Sequence, residues 1–108
     1  MSLRYVVAIV RIDVLEALEL GLANIGAHGL TITNVKGINE HANFLSHNWL
    51  TDHVKVEIFT EESRVGMITN AIMDIACTGD RGDGIVTVMP VEKFYRIRTR
   101  SEVLPDDS

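Results

Sequence analysis

Thr78-Gly79-Asp80-Arg81-Gly82-Asp83-Gly84 and, one hydrophobic run later, Arg96-Ile97-Arg98 are the residues of this chain best suited to chemistry. Three glycines in seven residues let a backbone turn tightly and approach a ligand closely, because no Cβ stands in the way. The arginines add charge, each with a planar fork of donors that matches phosphate or carboxylate. If Phe94 to Arg98 is a strand, Arg96 and Arg98 leave it on the same face. These features make an anion clamp; the competing reading is a surface hairpin with two solvated arginines. No Ser/His/Asp arrangement, Cys/His nucleophile pair, dinucleotide fingerprint or Walker motif accompanies them. The chemistry expected is binding, with no catalytic residue and no redox cofactor.

The chain that must position these residues has 108 residues, 46% of them hydrophobic, and a formal charge of -5. That fits one domain, able to bury roughly two thirds of its unfolded surface. The acidic balance argues against a nucleic-acid partner, which calls for a basic face. Five of the ten Lys/Arg residues nevertheless fall between Arg81 and Arg100, a distribution suited to one small anion. No apolar run approaches the roughly 20 residues of a membrane span. The start lacks a signal peptide's regions, and a single Cys77 excludes an internal disulfide, so a cytoplasmic protein is expected.

Arg4 to Val10 is a β-branched run that reads as a buried strand. Asp13 offers an N-cap to a helix whose Val14, Leu15, Leu18, Leu22 and Ile25 recur at helical spacing, and Gly26 closes it. Leu30 to Lys36 alternates as a half-buried strand does, with Gly37 at its end. The hydrophobic period then disappears from Asn39 to Asp52, predicting a mobile loop within a 37–53 segment. Val54 to Phe59 alternates again. Thr60 offers a cap to a second helix with Val65, Ile68, Ile72 and Ile75 on one stripe, ending near Cys77. Ile85 to Met89 is the next strand, Phe94 to Arg98 a short last one, and 99–108 a polar tail. Strand, helix, strand, loop, strand, helix, strand is a doubled unit, the α+β ferredoxin-like βαββαβ arrangement with an antiparallel sheet. That arrangement hosts many functions and decides none.

At this level of detail the chain resembles the PII nitrogen-regulatory signalling proteins. Thr31-Ile32-Thr33-Asn34-Val35-Lys36-Gly37, Val54-Lys55-Val56-Glu57-Ile58, Thr78-Gly79 with Gly82-Asp83-Gly84, and Arg96-Ile97-Arg98-Thr99 carry the likeness from about Val6 to Thr99. The resemblance implies a homotrimer with an adenine nucleotide in each cleft between neighbours. Thr31 and the backbone near Phe59 would meet adenine, with Glu57 at a matching position of the family. Gly37 and Gly82-Asp83-Gly84 would wrap sugar and phosphates, and Arg96 and Arg98 would reach the phosphates. A membrane transporter or enzyme would read the state of the loop.

Departures from the family pattern shape the expected ligand. Ile85 stands where members place a phosphate-binding lysine after the Gly-Asp-Gly. Asn39, Glu40 and His41 replace the usual Gly-Arg-Gln, and His53 replaces the lysine that binds 2-oxoglutarate. The loop is shortened and lacks a tyrosine for uridylylation. A divergent PII-like sensor is therefore expected, favouring ADP or AMP over ATP and indifferent to 2-oxoglutarate. Asn39, Glu40, His41 and His53 would stand near a second ligand, with bicarbonate the preferred candidate by resemblance.

Other readings stay open. His41, His47 and His53 could bind a metal, or could be solvated loop residues. Trp49 with Phe44, Leu45 and Leu50 either packs on its own trimer or anchors a partner. Cys77 reads as a small buried thiol. Asp83 could orient Arg98 or hold magnesium, or could serve the turn alone. The alternative functions are a trimeric metal-responsive relative of the same fold and slow nucleotide hydrolysis.

Overall fold

Alternating β-branched residues build a four-stranded sheet around Leu3–Arg11, the strand β1. The structure, a computed structural model, describes residues 2–38 and 50–102. A short 3-10 turn, Ile12–Val14, leads into α1 (Leu15–Asn24); then follow β2 (Thr31–Ile38), β3 (Leu50–Glu61), α2 (Glu62–Ala76) and β4 (Gly84–Val91). The sheet order is β2-β3-β1-β4, and every neighbouring pair is antiparallel. This is the ferredoxin-like α+β arrangement expected from the order of elements. A two-stranded hairpin, β5 (Tyr95–Arg96) with β6 (Ser101–Glu102), completes the described chain.

Register decides which residues face the helices. Val6, Ala8 and Val10 of β1 stand opposite Ile58, Val56 and Val54 of β3, and all six are buried. Leu18 and Leu22 of α1 and Ile68 and Ile72 of α2 complete that core. Those four are the inner members of the two stripes read from sequence, while Val65 and Ile75 lie at the edge, half-buried. Two-residue periodicity sends Tyr5, Val7, Ile9, Lys55, Glu57, Phe59, Ile85, Thr87 and Met89 to the opposite, helix-free face.

Gly26 stops α1 as expected. It adopts a φ of 77°, its amide bonds the Ala23 carbonyl at 3.0 Å, and the Ala27 amide bonds the Leu22 carbonyl at 2.9 Å. That is the Schellman arrangement, with buried Leu22 and Ala27 as its apolar contact. Arg64 of α2 adds a 2.6 Å hydrogen bond to the Ile25 carbonyl, a cation at the negative end of the helix.

The structure corrects several local expectations. A capping residue must have extended backbone, and those residues are Arg11 before the 3-10 turn and Glu61 before α2. Asp13 therefore lies inside the first turn, and Thr60 is still in β3, buried. Cys77 is exposed. β2 continues through Gly37 to Ile38 and β3 starts at Leu50, so paired strands occupy both ends of the expected 37–53 loop. The expected polar tail contributes β6. Asn39, Glu40, His41, Phe44, Leu45, His47, Trp49 and residues 103–108 lie outside the described residues.

Candidate functional site

The glycine turn is organised by its own carboxylates. Asp83 Oδ2 accepts hydrogen bonds from the Thr78 amide at 2.7 Å and the Gly79 amide at 2.9 Å, and Thr78 Oγ1 donates to Asp83 Oδ1. Asp80 Oδ1 accepts from the Gly82 amide at 2.9 Å, and the Asp83 amide donates to the Asp80 carbonyl at 3.2 Å. Arg11, at the end of β1, ties the two acids together: its guanidinium is 2.9 Å from Asp80 and 3.6 Å from Asp83. His53 Nε2 donates to the Gly82 carbonyl at 3.0 Å, since a carbonyl only accepts. Asp83 is thus turned inward to the turn, and His53 braces it.

This arrangement has a chemical consequence for anions. The amides of Thr78, Gly79 and Gly82 already serve carboxylates of the same chain and are not open donors for an anion. Arg81 is exposed on this turn. Gly84 then begins β4 with a φ of 110°, pressed against the backbone of Ile9.

Hydrogen bonding holds both turn acids below the usual carboxylate range. For Asp80 the Gly82 amide is the main cause, followed by Arg11; for Asp83 it is the Thr78 hydroxyl, followed by the Thr78 amide. A depressed folded pKa contributes stability that is present above the unfolded value, near 4, and lost as the pH falls below it. The Thr78 and Gly79 amide resonances should therefore show no titration of Asp83 between pH 7 and about pH 4 and respond to it only in stronger acid. Amide shifts that titrate at or above pH 4 would contradict the hydrogen-bonded turn.

A second group lies on the helix-free face. Phe59 stacks on Tyr5 with ring centroids 4.8 Å apart and meets the edge of Phe94 at 5.1 Å. Tyr5 donates its hydroxyl to Glu57, and this hydrogen bond, with burial and the negative charge of Glu57 behind it, raises the Tyr5 pKa. Lys55 Nζ stands 3.8 Å from the same carboxylate. Thr31 pairs with Glu57 from the outer strand β2.

The expected clamp is not assembled by one chain in the way its spacing suggested. Phe94 leads into the arginines from the level of Tyr5, whereas Gly84 pairs with Val10, five residues or about 17 Å further along β1. β5 ends at Arg96, and residues 97–100 form a turn, so the alternation that would put Arg96 and Arg98 on one strand face does not apply. Thr31 and Gly37 belong to the β2 edge of the sheet, while Gly82, Asp83 and Gly84 lead into the β4 edge. The bracing roles of Arg11 and Tyr5 escaped the sequence reading, because only strand register brings each to its partner. Among the described residues no group of three or more His, Cys, Asp or Glu could hold a metal ion. No described helix is long and apolar enough to cross a membrane.

Strand order and helix placement define the ferredoxin-like class. Within it, the family model described as nitrogen regulatory protein P-II matches residues 3–101, and the chain belongs to that family. The motif resemblance is borne out, and the family makes this a regulatory signal-transduction protein rather than an enzyme. The chain is 34% identical over 105 residues to nitrogen regulatory protein GlnK2 of Haloferax mediterranei, covering 91% of this chain and 85% of that one. It is 32% identical over 104 residues to nitrogen regulatory protein P-II of Microchaete diplosiphon, covering 90% and 93%. Among solved structures, Arabidopsis thaliana PII bound to citrate is similar with a TM-score of 0.79 and 31% identity, covering 94% of this chain and 89% of that one.

Proposed function

We propose that this PII-family chain binds an adenine nucleotide, ADP or AMP in preference to ATP, between copies of itself in a homotrimer. A membrane transporter or enzyme then reads the nucleotide state through the segment between β2 and β3. The observation that carries this reading is the separation of Thr31 and Gly37 from Gly82-Asp83-Gly84 on opposite edges of one sheet. Side-by-side copies reunite the two sets in a cleft, and a cleft between copies couples ligand binding to assembly.

The preference for fewer phosphates follows from charge. Ile85 brings no cation next to the turn, and Asp80 and Asp83 occupy the Arg11 guanidinium there. His53 and Arg11 are engaged with the turn, which supports indifference to 2-oxoglutarate. Bicarbonate, a smaller anion, is the proposed second ligand beside Asn39, Glu40, His41 and His53. Signalling requires different affinity for two states of the segment, because a ligand that binds both equally shifts neither.

Calorimetric titration with AMP, ADP and ATP, each with and without magnesium, 2-oxoglutarate and bicarbonate, tests the reading. ADP or AMP binding that ignores 2-oxoglutarate is the expected result. Arg98→Ala should weaken that binding by about 1.5–3 kcal/mol, roughly tenfold to a hundredfold, through loss of a charge-assisted phosphate contact. Unchanged affinity in the variant would remove Arg98 from the site, and failure of every nucleotide to bind would overturn the proposal.

A further inference from the structure

Arg100 is the one non-glycine residue with positive φ among the described residues, at 55°. Glycine occupies that region freely and arginine does not, so an arginine held there is a reason to look for a function. Its amide closes the hairpin tip on the Arg96 carbonyl at 2.9 Å and the Ile97 carbonyl at 3.2 Å. The two ends of this closed turn are Arg96 and Arg100, with Arg98 between them. Three guanidinium groups leave five consecutive residues. Arg98 and Arg100 are exposed, and neither forms an ion pair among the described residues. Three cations within five residues raise the local positive potential, which a bound polyanion lowers.

We propose that Arg100 is a specificity residue for the phosphate chain of the nucleotide, recognising a phosphoryl group beyond the first. The inference rests on the nucleotide reading above and sharpens it toward ADP over AMP. Two bidentate arginine forks place four hydrogen bonds and two positive charges on the three oxygens of one terminal phosphoryl group, and their repulsion disfavours a third guanidinium on the same group. A third fork therefore gains more from a further phosphate. Arg96 and Arg98 suffice for AMP, and Arg100 acts when a second phosphate is present.

The test is calorimetric titration of the unaltered chain, Arg100→Gly and Arg100→Asn with AMP, ADP and ATP, beside thermal unfolding of each. Glycine and asparagine both tolerate left-handed backbone, so both variants keep the turn, and the glycine variant should melt at a higher temperature. In both, ADP and ATP should bind about tenfold more weakly while AMP changes by less than about twofold. Equal weakening of all three nucleotides, or undiminished ADP binding, overturns the role of Arg100 and leaves the nucleotide reading standing. An unaltered chain that binds none of the three overturns both.

Discussion

Gly84→Ala is expected to lose a large share of the stability of the fold. A Cβ built on Gly84 falls 1.8 Å from the Ile9 carbonyl oxygen, 2.9 Å from its carbon and 3.2 Å from the Val10 Cα. All three atoms are backbone of β1, a strand paired on both sides, so neither strand can retreat without breaking ladder hydrogen bonds. The φ of 110° adds strain for any L side chain. Strain of about 1–3 kcal/mol together with a clash of similar size sums to roughly 2–6 kcal/mol. A domain of this size has about 5–15 kcal/mol in total. Gly29→Ala is the control: φ is also positive, at 73°, but nothing lies within 4 Å, so the loss should be about 1 kcal/mol. Urea unfolding followed by circular dichroism separates the two, and a Gly84→Ala chain as stable as Gly29→Ala would disprove the close approach. The contact matters for function because Gly84 fixes where the glycine turn joins the sheet.

Most of the fold was legible because hydrophobic period is a local signal. Val54 to Phe59 alternates, and β3 contains that run; Ile68 and Ile72 recur at helical spacing, and both are fully buried. Element ends were less legible. Leu50 to His53 belongs to β3 through pairing with Val35 to Ile38, a partner distant in sequence that no local pattern of polar residues announces. The helix starts failed for a related reason. Asp13 and Thr60 have capping side chains, yet the backbone leaves the strand at Arg11 and Glu61, and capping follows backbone geometry.

The candidate site was legible in residue types and not in arrangement. Glycines and aspartates at 78–84 announced a turn, and the turn is there. Its braces, Arg11 and His53, come from strands far away in sequence and are visible only once β1 and β3 are paired. Alternation, the default for two residues on a strand, puts Arg96 and Arg98 on one face. The Arg100 amide instead folds those residues into a turn, which a non-glycine residue at that position gave no reason to expect. The family likeness reached further than residue chemistry here, since four motifs in order constrain a fold even where one glycine turn does not.

Leu22→Ala sets the same logic against a residue two places away. Leu22 is fully buried at 0% exposure and packs in the core between α1, α2 and the sheet, whereas Leu20 is 65% exposed on the outer side of α1. Truncating Leu22 removes apolar burial and leaves a cavity, a loss of about 3–5 kcal/mol. It also removes the apolar contact of the Schellman stop, loosening the Gly26 turn that sends the chain toward β2. Leu20→Ala removes exposed methyl groups and keeps a better helix former, so its effect should stay within about 0.5 kcal/mol. Chemical denaturation of both variants measures the difference, which should exceed about 2 kcal/mol. Equal effects would mean that the helical stripe does not face the sheet as described.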